Sequence, residues 1–138
     1  LREYPSTQGS VYFSSKTFDK NPNGWNDSLR NHYYHNPAII PPMPWLNNAT
    51  ITQPAIEKMG NNLFKVTNKS EGKIRAFGVL TLTQNTEIKF ALAQLVQLII
   101  ADKTTLIDLS KVPDTKDRRV FVVAVDQYNN VSQLKEIK

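Results

Sequence analysis

His32 and His35 stand three residues apart, and on a helix that spacing sets both imidazoles on one face, where they could begin a metal site. No third ligand is evident nearby: the closest acidic residue along the chain is Asp27. Surface or interface histidines are the expectation, and no metal site. Trp25, Tyr33, Tyr34 and Trp45 surround the pair. They could form an aromatic platform that stacks on sugar rings, or pack as a junction between modules. Solvent exposure of the rings separates these readings. General acid/base chemistry needs two carboxylates in one cleft with their pKa values held apart. The acidic residues here fall at turns or beside lysines. Asp126 ends the most apolar run of the chain; a carboxyl group at a strand end is expected to accept backbone N–H bonds from the turn Gln127 to Asn130. Gly-x-Ser-x-Gly, Walker, dinucleotide, His-Glu-x-x-His and EF-hand patterns are missing from the sequence, and with them the chemistries they carry. The sequence has no cysteine, which removes disulfides, thiolate metal sites and Cys nucleophiles. No catalytic residue and no cofactor is expected of this chain.

The elements that must position these residues change character near residue 50. The 138 residues leave room for about one ordinary domain, and no apolar run approaches the roughly 18 residues of a membrane span. Residues 1–49 hold both tryptophans, both histidines and most of the prolines. Gly9 to Ser15 reads as a short strand. Trp25, Leu29 and Tyr33 recur at helical spacing, so a short amphipathic helix is expected, ending before Pro37. From Asn36 to Trp45, four prolines forbid helix and ladder and favour a stiff extended connector. Its apolar side chains Ile39, Ile40, Met43 and Trp45 are too greasy for a free linker and are expected to dock on a neighbouring module.

Residues 50–138 read as a β-sandwich, with turn signals between short apolar runs. Strands are expected at Ala55–Met59, Asn62–Thr67, Ile74–Leu82, Leu95–Ile100, Thr105–Asp108, Arg119–Val125 and Val131–Ile137, with a turn of helix near Glu87–Ala93. The formal charge is +5, yet the lysines are dispersed among acidic and neutral residues, so a solvated surface is expected rather than a nucleic-acid stripe. Four Asn-x-Ser/Thr triplets, at Asn26, Asn48, Asn68 and Asn130, are chance matches in an Asn-rich chain. The chain opens at Leu1 without an initiator Met or an apolar leader and so reads as a piece of something longer.

The run Asn31-His32-Tyr33-Tyr34-His35-Asn36-Pro37-Ala38-Ile39-Ile40-Pro41-Pro42-Met43-Pro44-Trp45 resembles the junction that ends the TIM-like barrel of bacterial glycoside hydrolase-like family 10 proteins. On that resemblance Gly9 to Ser15 would be the last barrel strand and Trp25 to Tyr34 part of its final helix. Residues 50–138 are similar to the fibronectin type III-like domain that follows the barrel. Arg75 to Leu80 matches its third strand, and Val120 to Ser132 its last two. Val66 and Val120 replace two habitual core aromatics of that domain, and Phe64, Phe77 and Phe121 are expected to refill the volume.

The resemblance implies a mainly β fold, a fibronectin type III/immunoglobulin-like β-sandwich preceded by a strand-helix-Pro-rich remnant of a barrel. It implies an exported, periplasmic or lipid-anchored parent whose active site lies at the C-terminal ends of barrel strands absent from this chain. The expected role is structural, supporting that barrel through Ile39, Ile40, Met43 and Trp45. The alternative is a carbohydrate-binding module using Trp25, Tyr33, Tyr34 or Trp45 on a polysaccharide. A homodimer through residues 1–50 is also expected, because a lone barrel strand and helix face leave apolar surface and an unpaired edge.

Overall fold

Strands form where β-branched and aromatic residues run between Asn, Asp and Gly turns. The computed structural model describes residues 15–47, 49–70, 73–102, 104–113 and 115–137. The chain divides into two compact units, the second starting at Asn36. That second unit holds β1 (Ala55–Lys58), β2 (Leu63–Thr67), β3 (Ile74–Thr83), β4 (Gln94–Ile100), β5 (Thr105–Asp108), β6 (Arg118–Asp126) and β7 (Lys135–Glu136). One antiparallel sheet runs β1-β2-β5 and the other β4-β3-β6-β7. The described chain is therefore mainly β, in two antiparallel sheets consistent with a β-sandwich.

Phe64, Val66 and Ile107 of the first sheet share one apolar cluster with Phe77, Val79, Val96, Val120, Val122 and Ala124 of the second. Antiparallel partners project to the same face and successive residues to opposite faces. The pairs Phe77/Ala124 and Val79/Val122 therefore face this core, while Gly78/Val123 and Leu80/Phe121 face the other side. That other side is also apolar: Ala76, Leu80, Leu82, Phe121, Val123 and Val125 form a second buried cluster. β3 and β6 are thus buried on both faces, which is why they read as continuous apolar runs rather than alternating ones.

This geometry corrects one expectation. Phe64 and Phe77 do fill the core beside Val66 and Val120, but Phe121 has the opposite parity and belongs to the outer cluster. The last strand is also shorter than expected. Ser132 intervenes, its Oγ accepting the Ala124 N–H at 2.9 Å while its own N–H donates to the Ala124 carbonyl at 3.0 Å. A side chain thus replaces a ladder carbonyl, leaving an isolated Val125/Val131 bridge before β7. The expected turn of helix ahead of β4 is a 3-10 turn, Phe90–Leu92.

In the first unit, residues 9–14 of the expected strand lie outside the described residues, and Ser15 opens a helix instead, α1 (Ser15–Lys20). Asn21, Asn23 and Gly24 all take positive φ, the backbone region that Asn and Gly tolerate best. They separate α1 from α2 (Trp25–Ser28). The Asn21 side chain braces the break: its Oδ1 accepts from Asn26 N–H and its Nδ2 donates to Asp27, both at 2.7 Å. The expected helix does end before Pro37, but from Leu29 to Tyr33 it widens to π geometry, with Tyr34 N–H donating to Leu29 O at 2.8 Å.

Phe77→Ala is expected to lower the unfolding free energy in urea by about 3–5 kcal/mol, whereas Leu106→Ala on the exposed face of β5 changes it by less than about 0.5 kcal/mol. Asp108 accepts from the Ser110 hydroxyl at 2.6 Å and backbone N–H at 3.0 Å, capping the turn Leu109–Lys111, and these bonds hold its carboxyl below the ordinary 3.8. A depressed folded value means this contribution is fully present above the unfolded value and is lost as pH falls through the folded one. An NMR titration of the Asp108 carboxyl should give a midpoint below 3.8; a midpoint at or above it contradicts the cap.

Candidate docking surface

Four prolines deny residues 36–47 a ladder or helix, and these residues fold with the β unit as an extended strap. Ile39 packs on the outer cluster of β3 and β6. It lies over Gly78, where a Cβ would crowd Leu95 Cδ1 at 3.0 Å and Val123 Cγ2 at 3.1 Å and meet Ile39 Cδ1 at an ordinary 3.6 Å. Beside the cluster, Arg119 makes a two-pronged bond to Glu136, both arms at 2.8 Å, with its guanidinium 5.1 Å from the Phe121 ring. The Glu136 bond raises the Arg119 pKa above its already high ordinary value, so this clamp stays charged.

The strap is held further along by the turn after β6. Met43 N–H donates to Tyr128 O at 3.1 Å, and Asn130 Nδ2 donates to Asn47 O at 2.9 Å. Asp126 builds that turn. Its Oδ1 accepts Tyr128 N–H at 2.8 Å and Asn130 N–H at 2.9 Å, and its Oδ2 accepts Asn130 Nδ2 at 3.0 Å. Asn129 takes φ 64° there, and its Oδ1 accepts from Arg75 at 2.7 Å. The strand-end role expected of Asp126 is thus what its hydrogen bonds perform.

The four side chains expected to dock are divided by this arrangement. Ile39 and Met43 are partly buried within the β unit, whereas Ile40 and Trp45 are exposed, Trp45 to 77%. Leu46, which sequence reasoning did not single out, is exposed beside Trp45 in the turn closed by Leu46 N–H to Met43 O at 3.0 Å. Its signal was available: an apolar residue directly after the Pro-rich run.

Of the aromatics in the first unit, Trp25 stacks on Phe18 with centroids 5.3 Å apart, while Tyr33 and Tyr34 are 57% and 59% exposed. His32 and His35 are exposed, and among the described residues no three His, Cys, Asp or Glu side chains converge. A cleft of about 420 Å³ opens at one end of the sheets, lined by Val66, Asn68, Ser70, Phe77 and Asp102 among others. Its polar groups are already engaged: Asn68 and Ser70 bond each other and Thr52. Asp102 is the one carboxylate among its described lining residues, so the pair that glycosidic chemistry needs is not assembled there. A second cleft of about 330 Å³ between Lys58, Phe64 and Lys135 again has a single carboxylate among its described lining residues, Glu136, which Arg119 already holds.

No protein-family model matches the chain, and no solved structure matches it. The chain is similar to "Glycosyl hydrolase YngK" of Bacillus subtilis (strain 168), with 28% identity over 139 residues that cover 96% of this chain and 27% of the relative. It therefore spans little more than a quarter of that relative's length.

Gly78→Val should force Ile39, Leu95 and Val123 apart and cost about 1–3 kcal/mol of stability. NMR contacts between Ile39 and β3 should weaken with it. A variant as stable as the original, with Ile39 still on β3, contradicts the seat described here.

Proposed function

We propose that this chain is a non-catalytic accessory part of a longer bacterial glycoside hydrolase resembling the family 10 group, and that it docks on and supports the catalytic barrel. The observation that carries the reading is the exposed side of the strap: Trp45 and Leu46, with Ile40, stand exposed on a segment that Ile39 and Met43 fasten to the β unit. An exposed aromatic and aliphatic pair on a rigid support is the kind of surface that another protein module covers. The occupant is the remainder of the longer protein, because the relative extends far beyond the matched quarter. Strand order supports a fibronectin type III-like identity for the β unit, since β4 lies beside β3 in the four-stranded sheet. The residues before Asn36 are read as the end of the barrel, and the parent as an exported envelope protein; among the described residues, no helix is long and apolar enough to cross a membrane.

A second reading, a carbohydrate-binding module, draws on the exposure of Tyr33, Tyr34 and Trp45. Titration with a panel of soluble polysaccharides, followed by Trp25 and Trp45 fluorescence, separates the two. The docking reading expects no saturable change with any glycan. Saturable quenching by one glycan would replace it with the binding-module reading. With its partner surface absent, the chain is also expected to self-associate in sedimentation velocity, and Trp45→Ser should shift it toward monomer. A monomer at all concentrations contradicts that part.

A further inference from the structure

We infer that the Asp126–Asn130 turn is a clasp that positions the docking arm, with Asn130 as the residue that couples the two. This rests on the docking reading above and deepens it, by naming what sets the orientation of the Trp45–Leu46 turn. Prolines make the strap stiff but give it no ladder of its own, so its placement depends on a few contacts. The structure gives Ile39 over Gly78 at one end, and at the other the bonds Met43 N–H to Tyr128 O and Asn130 Nδ2 to Asn47 O. The two bonds at the second end flank Trp45 and Leu46 on both sides along the chain.

Asn130 is suited to this coupling because both hydrogens of its amide have a partner. Nδ2 donates to Asp126 Oδ2 at 3.0 Å and to Asn47 O at 2.9 Å. An amide nitrogen carries two donors, so the carboxyl group fixes the amide plane and the second hydrogen is thereby aimed at the strap. Asp126 is held in turn by the N–H groups of Tyr128 and Asn130. Neither residue lines either of the two clefts described above; both are positioning residues, acting through the strap.

The test uses the whole chain. Amide hydrogen exchange is followed by NMR for Met43 and for residues of β3 and β6. Trp45 fluorescence anisotropy is followed in a Trp25→Phe background. Asn130→Ala should speed Met43 exchange roughly 3–10-fold, the loss of about one net hydrogen bond, and lower the Trp45 anisotropy, while the β3 and β6 amides keep their rates. Asp126→Asn puts an NH2 or a weaker acceptor opposite Asn130. It should release the strap to the same extent, and adding Asn130→Ala to it should have little further effect. Unchanged Met43 exchange in Asn130→Ala overturns the clasp. So does an equal acceleration of the β3 and β6 amides, which would make the turn a determinant of the whole fold rather than of the strap. Both readouts come from the chain by itself, so a failed clasp is distinguishable from a failed docking reading, which the glycan titration and sedimentation address.

Discussion

A carboxyl group buried at the end of a strand must find hydrogen-bond donors, and the fastening of the strap follows from how Asp126 finds its own. Only 4% exposed, Asp126 would be costly there without partners. Its donors are the N–H groups of Tyr128 and Asn130 and the Asn130 amide. Satisfying that one group folds residues 126–130 into a single turn with Asn129 in the left-handed region. The turn in turn presents one carbonyl and one amide hydrogen outward, and both are taken by the Pro-rich strap.

A second constraint reinforces the first. Because β3 and β6 are apolar on both faces, the four-stranded sheet needs cover on its outer side as well as on its core side. Ile39 supplies part of that cover, lying over Gly78, whose lack of a side chain leaves room for Leu95 and Val123 beneath it. The strap is therefore tied to the β unit by burial near its start and by hydrogen bonds near its end. Its apolar residues divide accordingly, with Ile39 and Met43 turned in and Ile40, Trp45 and Leu46 exposed.

Strands such as β2 and β6 were legible because they are bounded by residues that local chemistry reserves for turns, Gly60 to Asn62 before β2 and Tyr128 to Asn130 after β6. The role of Asp126 was legible for the same reason, a short carboxyl side chain at a strand end facing N–H groups within its reach. The parity of Phe121 was not. In a continuous run such as Val120 to Val125, hydrophobicity carries no alternation from which to assign faces, and only the register with β3 decides. The truncation of β7 depended on a hydroxyl, Ser132, standing in for a carbonyl, and the π geometry at Leu29–Tyr33 left no compositional mark. The division of the strap needed the position of Gly78 opposite Ile39, a contact between residues far apart in sequence.

Together these features describe a β unit that carries an exposed apolar turn on a fastened strap, with a single carboxylate among the described lining residues of each of the two clefts. The chain is similar to about a quarter of a glycosyl hydrolase, and the supporting role is the one proposed for it. Oxidative footprinting of Trp45 tests this most directly, comparing the 138-residue chain at monomeric dilution with the longer protein that the docking account requires. The account predicts strong oxidation of Trp45 in the isolated chain and marked protection in the longer protein. Equal oxidation in both would contradict it.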